Sequence, residues 1–271
     1  MQLIIALFFS FVSFGPFFFE LYTRLLSIEV RSNLSADYSY YIHADSSNLP
    51  LPILKPRGSY SSIKNSIIKQ QQYFKNKYAE AKTNTSKEKL ILEASLYVTT
   101  QLVNEIFPHW YGTSWSFDGY TSVPNKGKVG CSYFVSTTLL HAGFNLNRYS
   151  LAQQGPVSEA KSLLIEGTLL NVKVGYEFEN FIPSIQNKCK EGLFFIGLEH
   201  SHVGFLYYRE NEVYFIQSSY GKSMQVEIDY AEESDILTGF GDFTLVPITT
   251  NNALITKWIT GNEIYVVKGV D

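Results

Sequence analysis

Cysteine is scarce in this chain: Cys131 and Cys189 are its two thiols. A pair cannot build a disulfide framework or a four-thiolate zinc site, so any zinc would need histidine and carboxylate ligands. Charge is scarce as well. Asp, Glu, Lys and Arg make up 17% of the residues, below the roughly 25% usual for soluble domains. An excess of cations is missing: 22 Lys and Arg against 25 Asp and Glu leave a net charge of −3. Nucleic-acid binding needs Lys and Arg clustered on one face, so a nucleic-acid partner is not expected. The chain carries no internal repeat. What it has in quantity is aromatic, 20 Phe, 19 Tyr and 3 Trp, which excludes a disordered polymer. With 271 residues it can bury a full core without staples.

The first ionisable side chain is Glu20, and the stretch from Met1 to Phe19 holds seven Phe. That run is close to the roughly 20 apolar residues that span a bilayer core, but Gly15-Pro16 interrupts it. Residues 1–25 read as a signal peptide. No Lys or Arg precedes the apolar run and no Ala-x-Ala-like site follows it, which keeps open an uncleaved anchor or a buried apolar arm. The expectation is export to the periplasm, the cell envelope or the medium, with membrane contact through residues 1–19.

Residues 26–83 read as a connector followed by an amphipathic helix. Pro50, Pro52 and Pro56 favour an extended tether, and Ile63, Ile67, Phe74 and Tyr78 fall at helical spacing over Tyr60 to Lys82. A second helix is expected from a Thr85/Glu88 capping box, with a broad apolar face, ending at Pro108. A loop rich in Gly, Ser and Pro runs to Gly130, and loops of such length are often functional. Cys131 to Ala142 reads as a buried helix stopped by Gly143. Shorter helices are expected over Ser158 to Glu166 and Glu179 to Lys188. Strands are expected over Leu193–Leu198, His202–Tyr208, Val213–Gln217 and Phe243–Ile248. A helix over Asn252–Ile259 and a strand over Glu263–Lys268 complete the pattern. Helices first and an antiparallel sheet second make an α+β domain over residues 84–271.

A thiol at the first turn of a helix meets unpaired N–H groups that favour its thiolate, and Cys131 is so placed. A thiol hydrolase also needs an imidazole as base and then acid, and a polar group to orient the ring. His202 opens a strand and is the candidate base. Gln217, ending another strand, is the candidate orienter, with Ser218 and Ser219 as alternatives.

These residues resemble the NlpC-type papain-like cysteine peptidases and amidases, many of which cut peptide bonds in peptidoglycan stems. The matches are Trp110-Tyr111-Gly112-Thr113 to an aromatic-Gly-Gly element, Gly130-Cys131-Ser132-Tyr133-Phe134-Val135 to Asp-Cys-Ser-Gly-Phe-Val, His202-Val203-Gly204-Phe205 to His-Val-Gly-Ile, and Gln217. They run in family order over residues 105–219. The resemblance implies a papain-like fold with the nucleophile on a helix N-terminus packed on an antiparallel sheet. It implies Cys131, His202 and Gln217 as catalytic residues acting on a peptide or peptidoglycan substrate, without a cofactor. Trp110, Tyr111, Gly112, Trp115 and Ser132 would line the substrate cleft, and the Cys131 N–H would serve an oxyanion hole. Gly130 and Tyr133 stand where the family has Asp and Gly, which alters the pocket. The same departures leave room for a silent module that binds wall peptides or a protein partner, and the same chemistry would serve a thiol acyltransferase.

Other residues read more plainly. His200 and His202, two apart, would share a strand face with Glu199 nearby, which raises a metal reading, but no further ligand cluster is visible. Cys189 reads as a free surface thiol.

Overall fold

The computed structural model describes residue 56 and residues 58–269. The apolar segment 1–25 and the connector up to residue 55 lie outside the described residues. No described helix is long and apolar enough to cross a membrane.

Helix α1 spans Tyr60–Glu80, capped by Ser59, whose hydroxyl accepts from the Ser62 N–H. It buries Ile63, Ile67 and Phe74 of the face expected from the spacing and half-buries Tyr78. Helix α2 is Asn84–Thr100. Its capping box is built two residues earlier than expected, by Thr83 and Ser86. The broad apolar face is only partly used, since Leu92 and Leu96 are exposed while Ala94, Tyr97 and Val98 are buried. Pro108 does not end this run. The chain widens into a π-helical turn over Gln101–Ile106 and continues as α3, Phe107–Trp110. The Phe107 N–H reaches back five residues to the Leu102 carbonyl, and such a widened turn gives a proline ring space that a regular helix lacks.

The loop that follows contains a two-residue parallel pair, β1 (Ser114–Trp115) and β2 (Lys128–Val129). Helix α4 is Cys131–His141, followed by α5 (Arg148–Ala152) and α6 (Pro156–Leu163). Gly143, at φ +94°, takes the left-handed conformation after α4. Strand β3 (Leu170–Lys173) and helix α7 (Phe181–Lys188) lead into β4 (Gly192–Leu198), β5 (His202–Arg209), β6 (Glu212–Ser218), β7 (Val226–Tyr230) and β8 (Asp242–Pro247). Helix α8 is Asn252–Thr260. The strand expected over Glu263–Lys268 is not formed. Ile264 makes one bridge to Leu146, and further on the Val267 N–H donates to the Ser162 hydroxyl at 2.9 Å rather than to a strand.

The six strands form one antiparallel sheet in the order β3-β8-β4-β5-β6-β7. The β5–β6 hairpin turns at Glu210 and Asn211, both at positive φ, as a two-residue primed turn requires. An antiparallel sheet often leaves one face to water, but here β4, β5 and β6 are apolar on both faces. One face packs on α7 through Phe194, Ile196, Leu206 and Phe215. On the other, Phe205 meets Phe134 of α4 and Phe107 of α3. This is mixed helix and sheet of the α+β kind.

Helix α1 belongs to the same body as the sheet. Phe74 contacts Trp258 of α8, and Gln71 donates to the carbonyls of Gly143 and Trp258 at 2.9 and 2.6 Å. The boundary expected after residue 83 thus falls between two helices that pack on one another.

Candidate active site

Cys131 is the first residue of α4. Gly130 before it is extended and offers no side-chain cap. A Cβ on Gly130 would lie 3.1 and 3.2 Å from the carbonyl oxygens of Phe117 and Ser116. An aspartate here would press its side chain against those carbonyls, so the glycine and the closely folded loop go together. The backbone N–H groups of Val203 and Ser132 and the Ser132 hydroxyl favour the Cys131 thiolate, but burial outweighs them and pushes the thiol up. The thiol is therefore held toward its neutral form, and the helix N-terminus does not by itself hold the expected thiolate.

His202 opens β5 and is almost wholly buried, 1% exposed. Its Nε2 lies 2.7 Å from Oε1 of Gln217 on β6. The Gln217 amide nitrogen donates in turn to Glu227 at 3.3 Å. An amide that spends its nitrogen on a carboxylate presents its oxygen to the ring, so Nε2 carries the proton and donates. Nδ1 is buried and has no hydrogen-bond partner. Burial lowers His202 to about 4, opposed in part by the Gln217 hydrogen bond. The ring is thus a neutral imidazole with a free lone pair on Nδ1, the state a general base requires. Phe215 and Tyr220 flank it edge-on, with centroids at 6.2 and 5.1 Å.

Gly204 makes this packing available. A Cβ there would come within 2.7 Å of the Phe215 ring and 2.9 Å of the Ile216 carbonyl. Ser218 and Ser219, the alternative orienters, are engaged elsewhere. The Ser218 hydroxyl donates to the Val129 carbonyl at 2.8 Å, and that of Ser219 accepts from the Gly221 N–H at 3.1 Å.

Cys131, Ser132, His202 and Val203 line a cleft of about 520 Å³. Trp115, Phe117, Asp118 and Tyr120 from the long loop form one wall, and residues Ala152 to Pro156 contribute to another. Of the residues expected at the substrate cleft, Trp115 and Ser132 line it; Trp110, Tyr111 and Gly112 do not. Trp110 is fully buried and its indole N–H donates to the Tyr60 hydroxyl at 2.7 Å. A large aromatic on an apolar helix face gains more from burial than from a cleft edge. The Gly112 N–H donates to the Val226 carbonyl at 2.9 Å, and the Tyr111 hydroxyl is buried. Gly112 and Thr113 thus fasten the loop to β7.

The metal reading of Glu199, His200 and His202 meets a turn. The strand begins only at His202, Glu199 has positive φ, and His200 is exposed while His202 is buried. Among the described residues no group of three or more His, Cys, Asp or Glu is placed to hold a metal ion. Cys189 is a free thiol, as expected, but half-buried where it caps α7 against the core, and burial pushes it up to about 11.

Tyr133 lines the cleft, as its place in the motif suggested, whereas Tyr220 and Glu227 acquire places around the site that the sequence motifs did not announce. Tyr220 lies three residues past Gln217, a spacing that a flanking aromatic would have suited. Glu227 has no local signal, because it reaches Gln217 only through the register of β6 against β7. No protein-family model matches the chain, and no curated protein matches it significantly.

Proposed function

We propose that this chain is an exported papain-like thiol hydrolase, similar to the NlpC-type peptidases, that cleaves an amide bond in a peptide, with a peptidoglycan stem peptide as the substrate to test first. One observation carries the reading: the buried His202 ring is held through Nε2 by Gln217 while its Nδ1 lone pair is unspent, in the same cleft as a thiol at a helix N-terminus. In the reaction, Cys131 Sγ attacks the scissile carbonyl carbon as its proton passes to His202 Nδ1. The carbonyl oxygen becomes an oxyanion beside the N–H groups at the start of α4. His202 then protonates the leaving amine, and a thioester remains on Cys131. Water attacks the thioester with His202 as base, releasing a carboxylic acid and restoring the thiol.

The neutral thiol favours one competing reading. A Cys131 pushed up by burial also suits a silent module that holds a wall peptide or a protein partner in the cleft. Incubation with purified peptidoglycan, with released amines identified by mass spectrometry, decides between them. Release that disappears in Cys131→Ser and His202→Ala supports the hydrolase. No release by the unaltered protein, together with peptidoglycan binding that both variants retain, supports the silent module.

A further inference from the structure

We propose that Glu227 is a positioning residue that sets the direction of the hydrogen-bond chain ending at His202, and so keeps the ring proton on Nε2 and the lone pair on Nδ1. What the lone pair does rests on the hydrolase reading; the direction of the chain rests on geometry alone.

The sheet register brings the three residues into a row. Gln217 of β6 is paired with Glu227 of β7. Phe205 is paired with Ile216, so strand alternation puts His202 and Gly204 on the face that carries Phe215 and Gln217. Across that row Glu227 accepts from the Gln217 Nε2 group at 3.3 Å, and Gln217 Oε1 lies 2.7 Å from His202 Nε2.

Neither Gln217 nor His202 can choose this direction. An amide offers a donor at one end and an acceptor at the other, and a neutral imidazole does the same, so the pair fits equally well with both reversed. In the reversed arrangement Gln217 would donate to Nε2, and the ring proton would move to Nδ1, where it blocks the approach of a thiol proton. A carboxylate breaks the tie because it only accepts. With Glu227 beside it, Gln217 spends its N–H₂ there and turns its oxygen to the ring. Gln217 is fully buried, so solvent does not offer it an alternative partner.

The test uses the full chain with 15N-labelled histidine, comparing the unaltered protein with Glu227→Gln and Glu227→Ala at neutral pH. Imidazole nitrogen shifts report the tautomer of His202 without reference to any substrate. The unaltered protein is expected to show one tautomer, with the proton on Nε2. In Glu227→Gln, which keeps size and shape but can donate as well as accept, a second form with the proton on Nδ1 is expected. In Glu227→Ala the same mixture is expected. Amine release should fall on the order of tenfold in kcat with KM little changed, because one tautomer cannot take the thiol proton. A purely structural role would lower the melting temperature and leave the tautomer alone. Retention of the Nε2–H form alone in folded Glu227→Gln or Glu227→Ala overturns the proposal. A tautomer change in a protein that releases no amine sustains the role of Glu227 and refutes the hydrolase.

Discussion

His202 and Gln217 meet at 2.7 Å in the interior, and the glutamine oxygen is the hydrogen-bond partner of the ring at Nε2. Replacing Gln217 with alanine leaves the Nε2 proton buried without an acceptor, a loss of about 1–3 kcal/mol. The same hydrogen bond opposes the effect of burial on the ring, so His202 should then titrate lower still. Urea unfolding measures the first effect, and histidine NMR titration of the variant measures the second.

Stability should fall on acidification. Burial lowers both His202 and His141 to about 4 in the folded protein, whereas an unfolded histidine titrates near about 6.5. The unfolded chain therefore binds more protons between these values. The stabilisation is complete above about pH 6.5 and is lost as the pH falls toward 4. Asp229 acts with the opposite sign. Burial first, and then the charges of Glu227, Asp235 and Glu233, push it up to about 6, so its ionisation disfavours the fold as pH rises through 6. Urea midpoints across pH 4 to 8 should fall on the acid side in the unaltered protein, and the Asp229→Asn variant should be relatively more stable above pH 6.

Gly204→Ala should destabilise the protein by about 1–3 kcal/mol, as overpacking of a filled interior does. The added carbon would collide with the Phe215 ring and the Ile216 carbonyl. Because Phe215 also flanks His202, the variant should shift the His202 ring resonances. A thermal melt and a histidine spectrum check the two parts.

Tyr60→Phe should loosen α1. The Tyr60 hydroxyl accepts from Trp110 Nε1 at 2.7 Å and lies 2.9 Å from His141 Nδ1. Its removal leaves the buried indole N–H without that acceptor, again about 1–3 kcal/mol. Hydrogen exchange should quicken along residues 60–80 more than in β4 and β5. Equal protection in both proteins would show that α1 is held by its apolar face alone.

Much of the site was legible in short stretches of chain. A cysteine after glycine at the start of an apolar helix, and a histidine opening a strand with glycine two residues on, are local patterns whose chemistry does not depend on distant partners. Gln217 was legible as a polar end to an apolar run. Its selection over Ser218 and Ser219 was not, since the three follow one another at the end of β6 and their partners, Val129 and Gly221 among them, come from elsewhere in the fold or from the turn. Trp110 misled because aromatic residues serve cores and clefts alike, and only Tyr60, fifty residues earlier, shows which. The capping box at Thr83 rather than Thr85 and the passage of the helix through Pro108 turn on backbone geometry to which the residue pattern is indifferent.

By itself the sequence determined the longer helices and the strands β4, β5, β6 and β8, since periodicity and turn chemistry are properties of neighbouring residues. It also determined that a thiol and an imidazole would each begin an element. Tertiary structure decided which groups face one another. The register of β6 between β5 and β7 put Gln217 between His202 and Glu227, and desolvation at the cleft pushes the Cys131 thiol up and the His202 imidazole down. Register and desolvation arise from contacts between segments far apart in the chain, and no local pattern carries them.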